Sequence, residues 1–314
     1  MTEKISKSLK NGKEYKIPLG EKDKGLKKFI DLNADKKIVV VQGLGFVGTV
    51  MSLVIANNKN NEYAVIGVDR TSEESYWKIA QINEGYLPIT SSDPKVEEYF
   101  KKSMSNNNFY ATYDTEAYAI ADTIIIDINL DVEKIRDSQE NIISFDVPFS
   151  NFKRAIQSIG ENCKPDVMIL VETTVPPGTC RNIIYPIIKK SLKERGYDGD
   201  SFVLGHSYER VMPGPKYLDS IKNFYRVYSG LNAKSASAVR AFLETIISTD
   251  EYPLTKLQTL ESTEMAKVLE NSYRAMNISF VNEWSRFAEE AGVDLHEIIN
   301  AIRLRPTHNN IMYP

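Results

Sequence analysis

The feature that most constrains the fold is a glycine-rich turn between two apolar runs, in residues 36–70. Residues 37–42 form a short β-branched run with no polar face, as expected for a strand buried on both sides in a parallel sheet. Gly43, Gly45 and Gly48 follow as G-x-G-x-x-G, and a helical stretch comes next. The segment therefore predicts a strand, a tight turn, a helix and a second strand.

Each part of this pattern suits a bound dinucleotide. The first glycine permits a tight turn, the second lets the backbone approach a pyrophosphate, and the third allows close packing of helix on strand. Phe46 and Val47 lie in the same turn, and Asp69 ends the second apolar run, 63–68, where a carboxylate accepts hydrogen bonds from the adenosine ribose. An acid there disfavours a 2′-phosphate, so we predict NAD rather than NADP, although the adjacent Arg70 weakens that preference.

Bulk composition points to a protein that acts on small molecules. The 314 residues are 42% hydrophobic, and a net charge of −3 gives no electrostatic argument for nucleic acid or an anionic membrane as partner. The two cysteines, Cys163 and Cys180, have no metal-binding spacing, and we expect no metal site. With few cysteines, no apolar run of membrane-spanning length and a charged N-terminus, we expect a cytoplasmic protein.

Strands and helices alternate along most of the chain. Residues 36–257 predict an α/β fold, a Rossmann-like doubly wound parallel sheet that binds NAD. Residues 1–35 are rich in lysine with little apolar periodicity, and we expect a partly ordered N-terminal extension there. Residues 129–144 are polar and predict a loop, and a helix starting at Cys180 is expected to be capped by Thr179.

A long helical run without glycine or proline follows, from Leu260 to Ala291. It forms the main part of a second, helical domain over residues 258–314. Apolar residues recur along it at intervals of three and four, which predicts an apolar stripe for packing or for a homodimer contact. They are Met265, Val268, Leu269, Tyr273, Met276, Phe280, Trp284 and Phe287.

Four stretches together resemble the nucleotide-sugar 6-dehydrogenases, a family that includes UDP-glucose and UDP-N-acetylmannosamine dehydrogenases. They are VVVQGLGFVGTVMSLVIA, VETTVPPGT, YERVMPG and EMAKVLENSYRAMNISFVNE, and their order and approximate spacing match from residue 37 onwards. The YERVMPG form is more similar to the N-acetylhexosamine branch. The resemblance implies oxidation of the C6 alcohol of a UDP-sugar to the uronate with two NAD per turnover, and such uronates usually feed surface polysaccharides.

The resemblance also implies roles for particular residues. Glu209 matches the family's general acid/base, Lys267 the cation that stabilises the developing oxyanion, and Asn271 its hydrogen-bonding companion. Lys267 and Asn271 are at i and i+4, so one helix face presents both. The other residues implied to bind ligands are Thr173, Thr174 and Asn129 for the cofactor and Arg210 and Arg305 for the substrate. Glu172 stays open between a cofactor contact and a strand-end charge with no role.

The sequence departs from the family in two places. The family's second oxidation uses a cysteine in a G-G-x-C loop, which follows a segment like Arg305-Pro306 to Tyr313-Pro314, and the sequence ends there. Cys180 could become somewhat acidic at a helix N-terminus, but the family has no nucleophile at that position. We therefore expect an inactive N-terminal part, without the cysteine loop and the C-terminal nucleotide-binding domain. Asp127-Ile128-Asn129 also replaces a Thr-Pro-containing turn.

Two other functions are compatible with the residues. One is a single-hydride β-hydroxyacid dehydrogenase of the 6-phosphogluconate type, which also has a Lys-x-x-x-Asn pair and needs no cysteine. The other is a non-catalytic module for NAD binding or dimerisation. The VPPGT and YERVMPG stretches favour the nucleotide-sugar dehydrogenase, and the sequence does not identify the sugar.

Overall fold

A computed structural model describes residues 4–18 and 20–314 and separates into two compact units, one ending at Glu264 and the other starting at Met265. The strands are β1 Ile5–Lys7, β2 Glu14–Lys16, β3 Lys37–Gln42, β4 Tyr63–Val68, β5 Phe109–Thr112, β6 Thr123–Ile126, β7 Glu133–Arg136, β8 Ile142–Asp146, β9 Met168–Val171, β10 Val203–His206, β11 Val227–Gly230 and β12 Thr255–Lys256. The helices are α1 Lys24–Leu32, α2 Phe46–Ala56, α3 Tyr76–Asn83, α4 Pro94–Ser105, α5 Glu116–Ile120, α6 Phe149–Asn162, α7 Tyr185–Glu194, α8 Tyr217–Lys222, α9 Ala233–Ile246, α10 Leu260–Ala291 and α11 Leu295–Arg303.

The first unit is built on an eight-stranded sheet in the order β12-β11-β10-β9-β6-β3-β4-β5. The six strands from β10 to β5 are parallel, and β3 lies between β4 and β6. This is a doubly wound Rossmann-like sheet, and the predicted fold class is confirmed. The carboxyl ends of the parallel strands share one edge, where such sheets bind ligands.

One end of the sheet departs from the parallel arrangement. Strand β11 pairs antiparallel with β10, and β12 is parallel to β11. A parallel return needs a crossover to the opposite edge. Here the connection carries only the short helix α8, whose Tyr217 hydroxyl donates to the Phe46 carbonyl at the carboxyl edge (2.7 Å). The chain therefore re-enters the sheet from that same edge.

Burial on both faces explains the central strands and α2. Every residue of β4 is buried, and β3 is buried from Ile38 to Gln42. Helix α2 is buried continuously from Gly48 to Ala56, so it has no polar face. This agrees with the sequence pattern, because a strand covered by helices on both sides needs apolar side chains at successive positions.

The N-terminal extension is folded in its described residues rather than partly ordered. Strands β1 and β2 form an antiparallel hairpin. Helix α1 buries Leu26 and Phe29 in the same apolar cluster as Ile38 and Val40 of β3. The Asp23 side chain caps this helix by accepting from the Gly25 amide.

The predicted loop at 129–144 is also wrong, because it contains β7 and the start of β8. These strands pair antiparallel with a bulge near Arg136, and all their residues are exposed. Neither face of this hairpin is buried, so its sequence shows no apolar alternation for a strand prediction to detect.

The second unit consists of the rest of α10 together with α11. Helix α10 has the predicted bounds and ends at Ala291, followed by Gly292 with a φ of +65°. Val281, Ala288 and Ile299 are buried, while much of the predicted stripe, including Met276 and Phe280, is exposed. No helix within residues 4–18 and 20–314 is long and apolar enough to cross a membrane.

Candidate NAD site

The glycine-rich turn has the geometry that the motif predicts. Gly43 has a φ of +108°, and a Cβ there would lie 2.4 Å from the Asp127 carbonyl oxygen. A Cβ on Gly48 would lie 1.9 Å from the Gly43 carbonyl oxygen, so only glycine allows α2 to start this close to the turn. A Cβ on Gly45 would meet no atom of the described residues within 4 Å, which leaves open space beside the backbone.

That open space suits a pyrophosphate. Gly45 precedes the first turn of α2, and no described side chain caps this helix N-terminus. Its first amide groups are therefore available as donors, and the helix dipole favours an anion there. The turn fits the linking phosphates of NAD on this ground.

One cavity beside the turn, of about 320 Å³, extends to the end of β4; we call it the Asp69 cavity. Asp69 is largely buried, and its carboxylate accepts hydrogen bonds from the Leu44 amide (3.2 Å) and the Arg70 amide (2.8 Å). It also pairs with the Lys78 ammonium at 2.5 Å. The sequence predicted Asp69 and Arg70 but not Lys78, because a single lysine nine positions further along shows no pattern.

A second cavity, of about 450 Å³, adjoins the turn and shares four lining residues with the Asp69 cavity; we call it the Glu209 cavity. It brings together predicted residues from four strand ends, since all these loops share the carboxyl edge of the sheet. The lining residues are Gly45, Phe46, Val47, Asp127, Ile128, Asn129, Leu130, Glu172, Thr173, Thr174 and Glu209. Thr173 is fixed by donating both its hydroxyl (3.0 Å) and its amide (3.1 Å) to the Ile126 carbonyl.

Glu172 is a buried charge with a dedicated partner. Its carboxylate pairs with the Arg226 guanidinium at 2.5 Å, and both side chains are almost fully buried. Burial raises the pKa of Glu172, and the Arg226 charge opposes that rise. Glu172 therefore holds a structural ion pair and also lines the cavity, and its contact with the cofactor stays a prediction.

Glu209 and Arg210 follow β10 at the same edge. The Glu209 carboxylate accepts a hydrogen bond from the Val211 amide at 2.5 Å, which orients it within its own loop. The Arg210 guanidinium lies over the rings of Tyr208 (5.7 Å) and Phe224 (5.9 Å). Glu209 lines the cavity, whereas Arg210 is not among the residues that line it.

The turn after Thr173-Thr174 is held by a residue that the sequence did not suggest. Glu264 of α10 is fully buried, and its carboxylate accepts from the Gly178 amide (2.5 Å) and the Cys180 amide (2.7 Å). The predicted cap is wrong, because Thr179 donates its hydroxyl to the Pro176 carbonyl instead. The helix that follows starts with a π-helical turn, Cys180–Ile184.

Neither cysteine has the surroundings of a nucleophile. Burial, together with the nearby Glu264 carboxylate, raises the pKa of the Cys180 thiol well above its usual value. A carboxylate occupies that helix N-terminus, so the terminus does not make the Cys180 thiol acidic, and Cys180 is a buried structural residue. Cys163 is also buried, and burial raises its pKa.

The remaining predicted residues lie in the second unit. Lys267 and Asn271 are one turn apart on α10, as the spacing predicts. Arg305 is exposed, just before a short 3₁₀ turn, Pro306–His308. Their roles toward a substrate stay predictions.

Comparison with protein families matches residues 36–247 to the NAD binding domain of the UDP-glucose/GDP-mannose dehydrogenase family and residues 261–314 to its central domain. The chain belongs to this family. The cofactor of the glycine-rich site is therefore NAD, as predicted. The family boundaries also place the start of the central domain near the start of α10.

Curated relatives include UDP-N-acetyl-D-mannosamine dehydrogenases of Pyrococcus horikoshii (26% identical over 273 residues, 87% of this chain and 58% of that protein) and Methanocaldococcus jannaschii (28% over 285 residues, 89% and 58%). A UDP-glucose 6-dehydrogenase of Rickettsia conorii is 25% identical over 264 residues, 83% of this chain and 54% of that protein. The chain thus spans a little over half the length of these relatives.

Solved structures agree on the fold. The UDP-N-acetyl-mannosamine dehydrogenase Cap5O of Staphylococcus aureus is 24% identical with a TM-score of 0.69, covering 88% of this chain and 60% of that one. A 3-hydroxyisobutyrate dehydrogenase of Mycobacterium tuberculosis is 13% identical with a TM-score of 0.51, covering 85% and 70%. At these identities both likenesses concern the fold alone.

Proposed function

We propose that this chain takes part in the NAD-dependent oxidation of the C6 alcohol of a nucleotide sugar, a UDP-N-acetylhexosamine or UDP-hexose, to the uronate. The observation that carries the proposal is the Glu209 cavity. In it, Glu209 shares one space with Phe46 and Val47 of the glycine-rich turn and with Thr173 and Thr174. Oxidation of an alcohol needs a proton acceptor in the same site as the cofactor, and Glu209 meets that requirement.

The acidic, basic and amide residues have different roles in this reaction. When bound, NAD accepts the hydride that leaves C6. Glu209 takes up the hydroxyl proton, while Lys267 and Asn271 stabilise the negative charge that develops on the oxygen. Arg210 and Arg305 bind the sugar or its diphosphate, since a guanidinium forms paired hydrogen bonds with phosphate oxygens.

The names of the relatives suggest which sugar to test first. The two archaeal relatives above are named UDP-N-acetyl-D-mannosamine dehydrogenases, and the YERVMPG stretch here is similar to the N-acetylhexosamine branch. We therefore propose UDP-N-acetylmannosamine as the first substrate to assay, with UDP-N-acetylglucosamine and UDP-glucose as comparisons.

The test is an assay of the complete gene product with NAD and this panel, in which NADH formation is followed by absorbance. We expect one of the nucleotide sugars to be oxidised with two NADH formed per sugar. Replacing Glu209→Gln should lower kcat by about 10² to 10⁴, the usual contribution of a general base. Glu251→Gln, an exposed loop glutamate, should leave the rate unchanged.

Two results would contradict the proposal. Oxidation of a free β-hydroxyacid, but of no nucleotide sugar, would favour the single-hydride dehydrogenase. NAD binding without oxidation of either class of substrate would favour a non-catalytic NAD-binding module.

A further inference from the structure

Asp127 lies at the point where the two cavities meet. It follows β6 directly, its carbonyl oxygen packs against Gly43, and its Cβ lies 3.3 Å from where a Cβ on Gly48 would be. Four residues line both cavities: Gly45, Asp127, Ile128 and Asn129. Asp127 is the one residue of these four with an ionisable side chain.

A dinucleotide that occupies both cavities must lie next to Asp127, because Asp127 lines both of them. With its adenosine in the Asp69 cavity and its nicotinamide in the Glu209 cavity, the group between the two halves lies against the four shared residues. In NAD that group is a pyrophosphate, which carries two negative charges. An ionised Asp127 would repel it, so the protonation state of this side chain matters for binding.

The Asp127 carboxyl is poorly solvated and surrounded mainly by negative groups. Within the described part of the chain, its buried Oδ2 has no hydrogen-bond partner. Glu172 and Glu209 face it from the ends of β9 and β10, and the Arg226 guanidinium before β11 already pairs with Glu172. The Tyr217 hydroxyl of α8 is also close, since its pKa is raised in part by Asp127.

The Asp69 cavity adds little positive charge to balance this. Lys78 there is ion-paired with Asp69, and Arg70 is exposed. Burial, followed by the charges of Glu172 and Glu209, raises the pKa of Asp127 well above its usual value. A protonated carboxyl is uncharged and presents an O–H donor, and phosphate oxygens are strong acceptors for such a donor.

We propose that Asp127 binds the pyrophosphate of NAD as an uncharged carboxylic acid that donates its hydrogen, so that NAD binding is coupled to protonation of this side chain. The proton comes from solvent when the free protein holds Asp127 ionised. The proposal concerns the cofactor alone and does not depend on which sugar is oxidised.

The coupling fixes the direction of the pH dependence. Below the pKa of Asp127 in the free protein, the side chain is already protonated and NAD affinity does not change with pH. Above that pKa, each NAD that binds takes up a proton, and affinity falls by up to about tenfold per pH unit. Affinity is therefore lost as the pH rises.

Calorimetric titration with NAD between about pH 6 and pH 9 tests this. We expect the affinity of the unmodified protein to fall toward the alkaline end of that range, with a slope that approaches about tenfold per pH unit above the pKa of Asp127. Asp127→Asn keeps the size, the neutrality and a donor, so it should bind NAD within about threefold of the unmodified protein at the acidic end and show no pH dependence. Asp69→Asn should keep the pH dependence, whatever its affinity. Glu209→Gln should keep it shifted to lower pH, because the Glu209 charge helps to raise the pKa of Asp127.

Several outcomes would overturn the proposal. They are a flat affinity in the unmodified protein, a pH dependence that persists in Asp127→Asn, or one that disappears in Glu209→Gln. If Asp127→Asn does not fold, the unmodified protein is titrated at the alkaline end in two buffers with different protonation enthalpies. Uptake of about one proton per NAD supports the proposal, and no uptake refutes it.

Discussion

Asp69 lies at the end of β4, in contact with two backbone amides and one lysine. Its carboxylate holds the Leu44 amide and the Lys78 ammonium at the edge of the NAD site. We propose that Asp69 accepts hydrogen bonds from the adenosine ribose, so Asp69→Ala would remove that acceptor and also the ion-pair partner of Lys78. We expect NAD binding to weaken by about 1 to 3 kcal/mol, the usual cost of losing one partner of a buried or charged hydrogen bond.

A matched control lies at the opposite edge of the same sheet. Asp122 also pairs with a lysine, Lys164 (2.7 Å), and accepts from a backbone amide, that of Ile38 (2.8 Å). Asp122→Ala should leave NAD affinity unchanged in the same calorimetric titration. If Asp69→Ala behaves like the control, Asp69 is not part of the cofactor site.

Among single residues, the sequence predicted those whose role is determined by residues close to them in sequence. Gly43, Gly45 and Gly48 occupy the positions that the turn requires. The missed contacts join distant charges: Glu172 and Arg226 are 54 positions apart, and Glu264 caps a turn 84 to 86 positions before it. A single sequence does not show which distant charged groups meet, because that depends on how the elements pack.

Strands and helices were predictable where burial restricts which positions are apolar. Strands β3 and β4 and helix α10 have the predicted bounds, since each combines a clear apolar pattern with a defined end. The exposed hairpin of β7 and β8 was missed because neither face is buried. The antiparallel entry of β11 was missed because it depends on where α8 lies.

Glu264, on α10, holds the turn at Gly178 and Cys180, so replacing it should destabilise that turn. Glu264→Ala would leave two buried amides, those of Gly178 and Cys180, without their acceptor. At about 1 to 3 kcal/mol for each buried group left unpaired, we expect the free energy of unfolding to fall by roughly 2 to 6 kcal/mol. Chemical denaturation followed by circular dichroism measures this.

Glu261, one turn earlier on α10, provides the comparison. It pairs with Arg181 of the same turn at 2.6 Å, but both side chains are partly exposed to solvent. Glu261→Ala should therefore cost less than about 1 kcal/mol, as surface ion pairs usually do. Equal losses for the two variants would mean that Glu264 does not act as a buried cap.

At the level of the whole molecule, α10 has a row of exposed apolar side chains. Met265, Leu269, Tyr273, Met276, Phe280, Trp284 and Phe287 are each about half exposed or more. Monomeric proteins rarely present so continuous an apolar surface to water. We therefore propose that a second copy of the chain covers it, in a symmetric contact between the two α10 helices.

This proposal predicts a specific loss of assembly. Met276 is 72% exposed in the middle of the stripe, so Met276→Arg would place a charge at the centre of the contact, where it would have to be desolvated. We expect the unmodified protein to sediment as a dimer at micromolar concentration and Met276→Arg to sediment as a monomer. Glu289→Arg, on the same helix but on the face opposite the stripe, should remain dimeric, because its exposed side chain keeps its hydration. An unmodified protein that sediments as a monomer would contradict the proposal, and dissociation of both variants would indicate a general effect of added positive charge.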